Sequence, residues 1–404
     1  MYNTDTLFRA PRRSAVVEVM RAVLRGLKFT RVAASVPSAE VPPLRRSPVA
    51  VAGVLADELF VTVGRLRSGN AAVDMALLRD EVGRAAETLR AGGYVDEPAL
   101  LHAAPGLPGE TRLTVRRVIG RRFEHVSFPS VYEPPPGMVR AAEWRDRQGN
   151  HTAHAYLVRR DDRPRPWVVV IHGYSRGEPI DLHLMGAWHI HRSLGANVVF
   201  PVLPLHGPRG RATNIDRFPS VDPIVNLYGL SQAVRDVRSV IAWIRSEGAT
   251  DVAVYGVSLG GHTAALLASL EPDLAGVVAG VPTSDFTALL VRSVARLDGE
   301  EAVEALGLLD DSVVTLNRLV SPLTLRPLVA PERRYIFAAV GDRIANAEQA
   351  VALWRHWERP QIEWFQGSHV GSTASRSLRR FAVEALGESL AANWHNGHEI
   401  KECS

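Results

Sequence analysis

A serine flanked by glycines lies at residues 256–261, which read Gly-Val-Ser-Leu-Gly-Gly. An apolar, strand-like run precedes this segment and an apolar, helix-like run follows it, so we expect a sharp strand-to-helix turn. Such a turn strains its central residue and brings two backbones together, which requires small neighbours such as Gly256 and Gly260. The turn would raise the Ser258 hydroxyl to the carboxyl edge of the sheet, where ligands bind in open α/β folds. Ser258 is therefore the predicted nucleophile.

A histidine and an aspartate that could activate this serine follow later in the chain. A serine hydroxyl is a weak nucleophile near neutral pH and needs a base that a third group holds in place. His369 and Asp342 each come just past the end of an expected strand, and the order serine, acid, histidine matches one known triad arrangement. Asp285 also follows an expected strand end and is the alternative acid. We favour Asp342 as the residue that orients His369.

Two backbone amides are expected to stabilise the negative charge that develops when a carbonyl group is attacked. One is the amide of Leu259, which follows the nucleophile at the positive end of a helix. The other is the amide of Tyr174, in the loop after the expected strand 168–171, where Gly173 lets the backbone turn inward. The Tyr174 side chain could donate a hydrogen bond or only shape the pocket, and the sequence leaves both roles open.

The elements that must position these residues alternate between strands and helices from residue 167 onwards. Short, fully apolar strand runs are typical of a parallel sheet that is buried on both faces. Their alternation with helices predicts a mostly parallel central sheet with helices on both faces. A strand over 123–132 and a hairpin over 141–158 are expected before it. The excursion 284–328 is mostly helical and apolar, and it is the predicted small cap over the site.

An N-terminal helical extension is predicted over residues 1–118, with a proline-rich linker at 37–48. The helical patterns of residues 50–104 show no recognisable reactive constellation. A catalytic domain at 119–392 and a C-terminal tail at 393–404 complete the predicted organisation.

The segment 14–36 has the pattern of a basic amphipathic helix. Residues 1–50 carry a net charge of +6. The apolar stripe could pack against the catalytic domain, or it could rest on an anionic membrane surface. We favour packing and keep peripheral membrane contact as the alternative. The stripe consists of Val16, Val17, Met20, Val23, Leu24 and Leu27.

Composition limits the remaining classes of function. The overall net charge is +4, so the chain beyond residue 50 has a net charge of −2, which argues against nucleic acid as a partner. The single cysteine, Cys403, allows no intrachain disulfide, and no apolar run approaches the ~20 residues of a membrane span. Arg21, Arg25 and Arg31 interrupt any signal-peptide core, so we expect a cytoplasmic protein. The composition indicates no particular oligomeric state.

No metal or cofactor site is predicted. His183, His189 and His191 lie close in the chain, but helix positions two apart face different sides, so His189 and His191 could not readily share an ion. No cysteine or carboxylate pattern typical of zinc accompanies them. The sequence contains neither a phosphate-binding P-loop nor a dinucleotide fingerprint. We therefore expect the chemistry to come from the chain's own side chains.

These motifs together resemble the α/β-hydrolase superfamily. The resemblance covers about residues 121–390 and rests on His172-Gly173-Tyr174, the serine segment 256–261, Gly341-Asp342 and His369. It implies the α/β-hydrolase fold and a serine–aspartate–histidine triad, and it is uninformative about the substrate. The N-terminal helices are similar to those of uncharacterised bacterial hydrolases with an added helical segment.

The leading expectation is a serine hydrolase that cleaves small acyl esters through an acyl-enzyme. The resemblance also allows a peptidase, amidase or thioesterase with the same triad, although no large propeller-like domain precedes the catalytic part. The third alternative is a binding protein without catalysis. It is disfavoured because a retired site has no reason to keep a complete triad. The apolar cap favours an acyl or otherwise apolar substrate.

Overall fold

The computed structural model describes residues 7–8, 14–33, 40–68, 73–160, 163–210 and 218–402. Residues 37–39 of the predicted linker and residues 403–404 of the predicted tail lie outside this part. The described elements, in chain order, are β1 (Leu7–Phe8), α1 (Ala15–Ala33), α2 (Pro48–Ser68), β2 (Val73–Asp74), α3 (Met75–Ala91), β3 (Arg112–Val118), β4 (Arg121–Pro129), α4 (Ala141–Arg145), β5 (Thr152–Val158), β6 (Arg165–Ile171), α5 (Asp181–Leu184), α6 (Ala187–Leu194), β7 (Asn197–Val202), α7 (Gly207–Gly210), α8 (Pro223–Ser246), β8 (Ala249–Val257), α9 (Leu259–Leu267), β9 (Gly276–Gly280), α10 (Phe286–Asp298), α11 (Glu300–Ala305), α12 (Asp311–Leu319), β10 (Arg334–Ala339), α13 (Ala347–His356), β11 (Gln361–Phe365), α14 (His369–Ser372) and α15 (Arg376–Glu402).

Nine of these described strands form one sheet, in the order β11-β10-β9-β8-β6-β7-β5-β4-β3. The part from β11 to β7 is parallel throughout. The strands β5, β4 and β3 extend it by antiparallel pairing. The strands β1 and β2 form a separate antiparallel pair. A mostly parallel sheet with helices on both faces confirms the predicted fold class.

Both faces of the parallel sheet are covered by helices, as its sequence pattern requires. Side chains of β6 alternate between two hydrophobic cores. Val169 and Ile171 belong to the core that contains α8 and α9, whereas Val168 and Val170 belong to the core that contains α6 and α15. Because all four side chains are fully buried, the strand is apolar along its whole length instead of alternating with polar residues.

The hairpin predicted over 141–158 is wrong. Its first half is the helix α4 followed by a 3-10 turn at Gln148–His151, and its second half is the strand β5. The helical turn brings Trp144 into the interior, where its indole N–H donates to Gln232 Oε1 over 2.9 Å. Burial of this large ring overrides the local turn signal, and β5 pairs with β4 and β7 instead.

The predicted domain boundaries fall within continuous elements. The strand β3, which the sequence did not predict, pairs with β4 across a tight turn at Ile119 and Gly120. Their φ values of 46° and 71° suit a two-residue hairpin turn. The predicted start of the catalytic domain at residue 119 therefore lies inside this hairpin. The helix α15 continues to Glu402, past the predicted start of the tail at residue 393.

The helix α1 is docked against α2, but through the face opposite to the predicted one. A Cβ on Gly26 would be only 2.7 Å from Leu55 Cδ2 of α2, so the two helices approach closely at this glycine. Met20 and Leu24 of the predicted apolar stripe are 60% and 63% exposed. The expectation that this stripe packs against the domain is therefore wrong. No helix in the described part of the chain is long and apolar enough to cross a membrane. The buried residues of α1 are Glu18, Ala22, Gly26 and Thr30.

Candidate active site

Ser258 lies at the sharp turn between β8 and α9. Its backbone has φ 61° and ψ −119°, a strained conformation that typically marks a functional position. A Cβ on Gly256 would be 2.0 Å from the Gly260 carbonyl oxygen, and a Cβ on Gly260 would be 2.1 Å from the Ile171 carbonyl oxygen. Both positions need glycine because β6, β8 and α9 come so close together here.

His369 connects Ser258 with Asp342. Its Nε2 atom is 2.9 Å from Ser258 Oγ, and its Nδ1 atom is 2.6 Å from Asp342 Oδ2. Asp342 follows β10 and His369 begins α14 after β11, so both come from the carboxyl edge of the sheet. The other carboxylate oxygen, Oδ1, accepts a hydrogen bond of 2.8 Å from the Ile344 N–H. The structure thus brings the three predicted residues into one hydrogen-bonded chain.

The surroundings of His369 favour its protonated form. Burial by itself lowers the pKa of His369. The negative charge of Asp342, its hydrogen bond to the ring and the charge of Asp57 outweigh burial and raise the pKa above its usual value. Asp342 is 2% exposed and His369 is 9% exposed, so water screens this attraction little. The ring can therefore take up a proton and be stabilised in the charged form.

The alternative acid, Asp285, has a different structural role. It is the N-cap of α10, and its side chain accepts a hydrogen bond of 3.0 Å from the Ala288 N–H. Helix capping is a common role for aspartate. Among its described hydrogen bonds there is none to His369, whereas Asp342 contacts that ring directly. The geometry supports Asp342 as the partner of the histidine.

The loop after β6 passes close to Ser258. A Cβ on Gly173 would be 3.2 Å from Ser258 Cβ and 3.2 Å from the Val257 carbonyl oxygen, so glycine allows this approach. Leu259 is the first residue of α9, and Tyr174 follows Gly173 in the loop and is partly buried. The two amides predicted to form an oxyanion hole therefore belong to segments beside the serine.

A buried histidine orients the peptide between Gly173 and Tyr174. His172 Nε2 accepts a hydrogen bond of 3.1 Å from the Leu203 N–H, so Nδ1 carries the proton and donates to the Gly173 carbonyl over 2.8 Å. Burial lowers the pKa of His172 well below its usual value and keeps the ring neutral. The carbonyl and the N–H of a trans peptide point in opposite directions, so the Tyr174 N–H points away from His172. The Tyr174 ring lies edge-on to His206, with centroids 6.1 Å apart.

One residue at the site escaped the sequence analysis, which found no reactive constellation in the helical patterns of residues 50–104. Asp57 of α2 is completely buried against the two loops that carry Asp342 and His369. Its Oδ2 accepts hydrogen bonds from the Arg343 N–H at 3.0 Å and the His369 N–H at 2.9 Å. Its Oδ1 accepts one from the Val370 N–H at 2.9 Å. The available signal was an Asp-Glu pair within an otherwise apolar helical stretch.

The neighbouring Glu58 attaches α2 to the domain by charge. This completely buried carboxylate contacts Arg25 Nε at 3.0 Å, Arg296 Nη1 at 2.6 Å and Arg343 Nε at 2.8 Å. Burial raises the pKa of Glu58, but the arginines outweigh burial and the pKa lies below its usual value. One carboxylate therefore joins α2 to α1, to α10 and to the loop after β10.

The predicted cap region consists of α10, α11 and α12. The helix α12 packs against α3 and α8. Arg296 connects α10 to Glu58 of α2, so the excursion is also tied to the N-terminal extension. A role as a cover over the site stays a prediction. A small hydrophobic core of the region contains Val294, Ala302, Val303 and Leu308.

Two proteins of Mycobacterium tuberculosis are similar to most of the chain. The uncharacterized protein MT2702 of strain CDC 1551 / Oshkosh is 37% identical over 318 residues, which cover 77% of this chain and 75% of the relative. The uncharacterized protein Rv2627c of strain ATCC 25618 / H37Rv is 38% identical over 302 residues, which cover 73% of this chain and 71% of the relative.

A family model and solved structures agree with the described architecture. Residues 221–291, which include the serine turn, match the family described as alpha/beta hydrolase domain containing 18. The acetyl xylan esterase 1 from Thermoanaerobacterium sp. JW/SL YS485 matches with a TM-score of 0.53 and 15% identity, over 73% of this chain and 93% of that chain. The acetyl xylan esterase from Paenibacillus sp. R4 matches with a TM-score of 0.50 and 17% identity, over 72% of this chain and 93% of that chain. At such identity the likeness to these structures shows the fold alone. The fold and the match of residues 221–291 to the family model together show that the chain belongs to the α/β-hydrolase superfamily.

Proposed function

We propose that the protein is a serine hydrolase that cleaves carboxylic esters of small molecules by way of an acyl-enzyme. The observation that carries the proposal is the chain of hydrogen bonds from Ser258 through His369 to Asp342. The strained turn that presents the serine supports it, because an ordinary glycine-rich turn has no need of such a conformation. Membership of a hydrolase superfamily supports the same reaction class.

The geometry suits both halves of such a reaction. His369 Nε2 takes the proton of Ser258 as Oγ attacks the ester carbonyl, while Nδ1 donates its own hydrogen to Asp342 Oδ2. The imidazolium then gives its proton to the oxygen of the leaving alcohol, and the acyl group stays on the serine. In the second half His369 takes a proton from water, whose oxygen attacks the acyl carbon. The bond between that carbon and Ser258 Oγ then breaks, the imidazolium returns its proton to Oγ, and the acid leaves.

The amides of Leu259 and Tyr174 are the proposed donors to the oxyanion. The amide of Leu259 is at the N-terminus of α9, where the backbone N–H groups have no partner within the helix. His172 holds the peptide between Gly173 and Tyr174 with the Gly173 carbonyl turned toward its ring. The Tyr174 N–H of the same peptide is therefore directed to the other side. Donors that are already oriented need no rearrangement when charge develops, and this preorganisation is the main source of their effect.

Ester cleavage is proposed ahead of amide or thioester cleavage. Both solved structures reported above are named as acetyl xylan esterases. An alcohol is also a better leaving group than an amine, so the same triad cleaves an ester with less assistance to the leaving group.

The test compares aryl esters with aryl amides of the same acyl group, together with labelling by a fluorophosphonate that reacts with activated serines. We expect ester turnover that far exceeds amide turnover, and both turnover and labelling should disappear in Ser258→Ala. Ser193→Ala is the matched control, because Ser193 Oγ also lies near a histidine, 3.4 Å from His189 Nδ1, but has no strained turn. Labelling that persists in Ser258→Ala, or is lost in Ser193→Ala, would overturn the proposal.

A further inference from the structure

The N-terminal extension supplies a buried carboxylate to the candidate active site. Asp57 of α2 accepts hydrogen bonds from the N–H groups of Arg343, His369 and Val370, at 2.9 to 3.0 Å. Arg343 directly follows the proposed acid Asp342, and His369 is the proposed base itself. One side chain therefore joins the loop that carries the acid to the loop that carries the base, although it lies 312 residues before the histidine.

The carboxylate of Asp57 is not needed to attach α2 to the domain. Glu58, the next residue, already fixes the helix through its contacts with Arg25, Arg296 and Arg343. The helix also approaches the histidine loop closely, since a Cβ on Gly53 would be 2.9 Å from Ser368 Oγ. Burial of a carboxylate is unfavourable unless hydrogen bonds or opposite charges compensate it, and the three described hydrogen bonds of Asp57 all come from N–H groups of the triad loops.

We propose that Asp57 is a positioning residue for the hydrolase reaction, which sets the distance between the loops of Asp342 and His369 and places a second negative charge near the imidazole. This inference rests on the proposed function. A displacement of a reacting group by about 1 Å can reduce a rate about 100-fold, so a link between the two loops has direct consequences for turnover.

The charges around Asp57 give this role a measurable signature. Burial raises the pKa of Asp57 to about 6, with a further contribution from the charge of Asp342, while His369 and the N–H groups of Val370 and Arg343 act in the opposite direction. In return, the charge of Asp57 contributes to the raised pKa of His369. Removal of that charge should lower the pKa of the base, so the acidic limb of the pH–rate profile should move to lower pH.

The test is Asp57→Asn in the full chain. An amide has one oxygen and an NH2 group, so it cannot accept from all three N–H groups. We expect kcat to fall about 10- to 100-fold with KM changed less than about threefold, and the acidic limb to shift to lower pH. The control is Glu271→Gln, a buried carboxylate paired with Arg238 and Arg245 beyond the far end of α9. It should lower the melting temperature and leave kcat per folded molecule and the pH profile unchanged.

Normal kcat and an unshifted acidic limb in folded Asp57→Asn would overturn the inference. If this variant does not fold, Asp57→Glu is the second test, since it keeps the charge but displaces both oxygens by a methylene group. It should lower kcat with little shift of the acidic limb, and an unchanged kcat would again refute positioning. Failure of the proposed function is distinguishable, because ester turnover would then be absent from the native chain or would persist in Ser258→Ala, whatever Asp57 does.

The exposed face of α1 carries a second, independent inference. The face opposite to α2 has only apolar and basic side chains, and Glu18, the acidic residue of α1, is buried on the other side. A surface of this composition matches the interfacial region of an anionic bilayer, where apolar side chains enter the headgroup boundary and cations meet phosphates. The exposed side chains include Val16, Val17, Met20, Leu24 and Leu27, together with Arg21, Lys28 and Arg31.

We infer that this face of α1 rests on anionic phospholipid. A second copy of the chain is a poorer occupant, because a two-fold axis would bring the same cations of both copies together. The role requires no spanning segment, since a helix of this kind lies in the plane of the interface. It also explains why the apolar stripe is not used for docking on α2, where small residues allow a closer approach.

Flotation with vesicles of phosphatidylcholine, with or without about 30% phosphatidylglycerol, tests this surface. We expect binding only to the anionic vesicles, weakened by salt and reduced at least about tenfold by Leu24→Glu. Leu107→Glu is the matched control, because Leu107 is 66% exposed, similar to Leu24 at 63%, but lies outside α1. The absence of binding at low salt, or equal losses in both variants, would overturn the inference. Self-association that Leu24→Glu abolishes, without vesicle binding, would assign the face to a second copy.

Discussion

Replacement of Asp342 by asparagine removes the proposed acid with almost no change in shape. The carboxylate has two defined partners: Oδ1 accepts from the Ile344 N–H at 2.8 Å, and Oδ2 faces His369 Nδ1 at 2.6 Å. An asparagine keeps its oxygen toward the Ile344 N–H, so its NH2 group faces Nδ1. Two donors cannot pair, and the ring must carry its proton on Nε2 instead. That is the atom that should accept the proton of Ser258.

A ring in the wrong tautomer cannot act as the base. We therefore expect kcat to fall about 10³- to 10⁴-fold, which corresponds to about 4 to 5.5 kcal/mol of lost transition-state stabilisation. KM should change little, because Asp342 lies behind the imidazole relative to Ser258. The melting temperature should stay within a few degrees of the native value, because the amide fills the same space as the carboxylate.

Asp285→Asn is the matched control for this change. Asparagine caps helices as well as aspartate does, so the bond to the Ala288 N–H survives and kcat should change less than about twofold. Both variants and the native protein would be compared by steady-state kinetics on one soluble aryl ester, with melting curves recorded in parallel. A large loss in Asp285→Asn with normal turnover in Asp342→Asn would refute the assignment of the acid.

Three further outcomes follow from the same geometry. Gly256→Ala should lower the melting temperature by many degrees or prevent folding, because its Cβ would be 2.0 Å from the Gly260 carbonyl oxygen; an unchanged melting curve would contradict the tight turn. The value of kcat/KM should rise with pH, and the midpoint of this rise should lie above pH 6.5. The reason is that Asp342 outweighs burial and raises the pKa of His369, and only the neutral ring accepts a proton. A lower midpoint would argue against this coupling. Glu58→Gln should lower the free energy of unfolding by about 3–5 kcal/mol, since it breaks a buried ion-pair cluster; chemical denaturation would measure the loss, and equal stability would show that the cluster is not needed.

The amino-acid sequence by itself determined the turn at Ser258 and the class of the sheet. Both depend on local physical requirements. Two backbones that meet at a strand-to-helix turn exclude a Cβ at Gly256 and Gly260, and a strand buried on both faces must be apolar throughout. The order of serine, acid and histidine also limited the acid to Asp342 or Asp285, since each follows a strand end at the same edge of the sheet.

Tertiary structure alone decided what those local patterns left open. Asp342 and Asp285 look alike in sequence, and the difference between them arises from which loop packs beside His369. The apolar stripe of α1 predicted a buried face, but the close approach of α2 selected the small residues on the opposite side. Asp57 appeared to be one more polar residue of a helix, because its partners are backbone N–H groups about 300 residues later in the chain. Backbone groups are the same at every position, so no pattern of side chains could reveal which of them a distant carboxylate would bind.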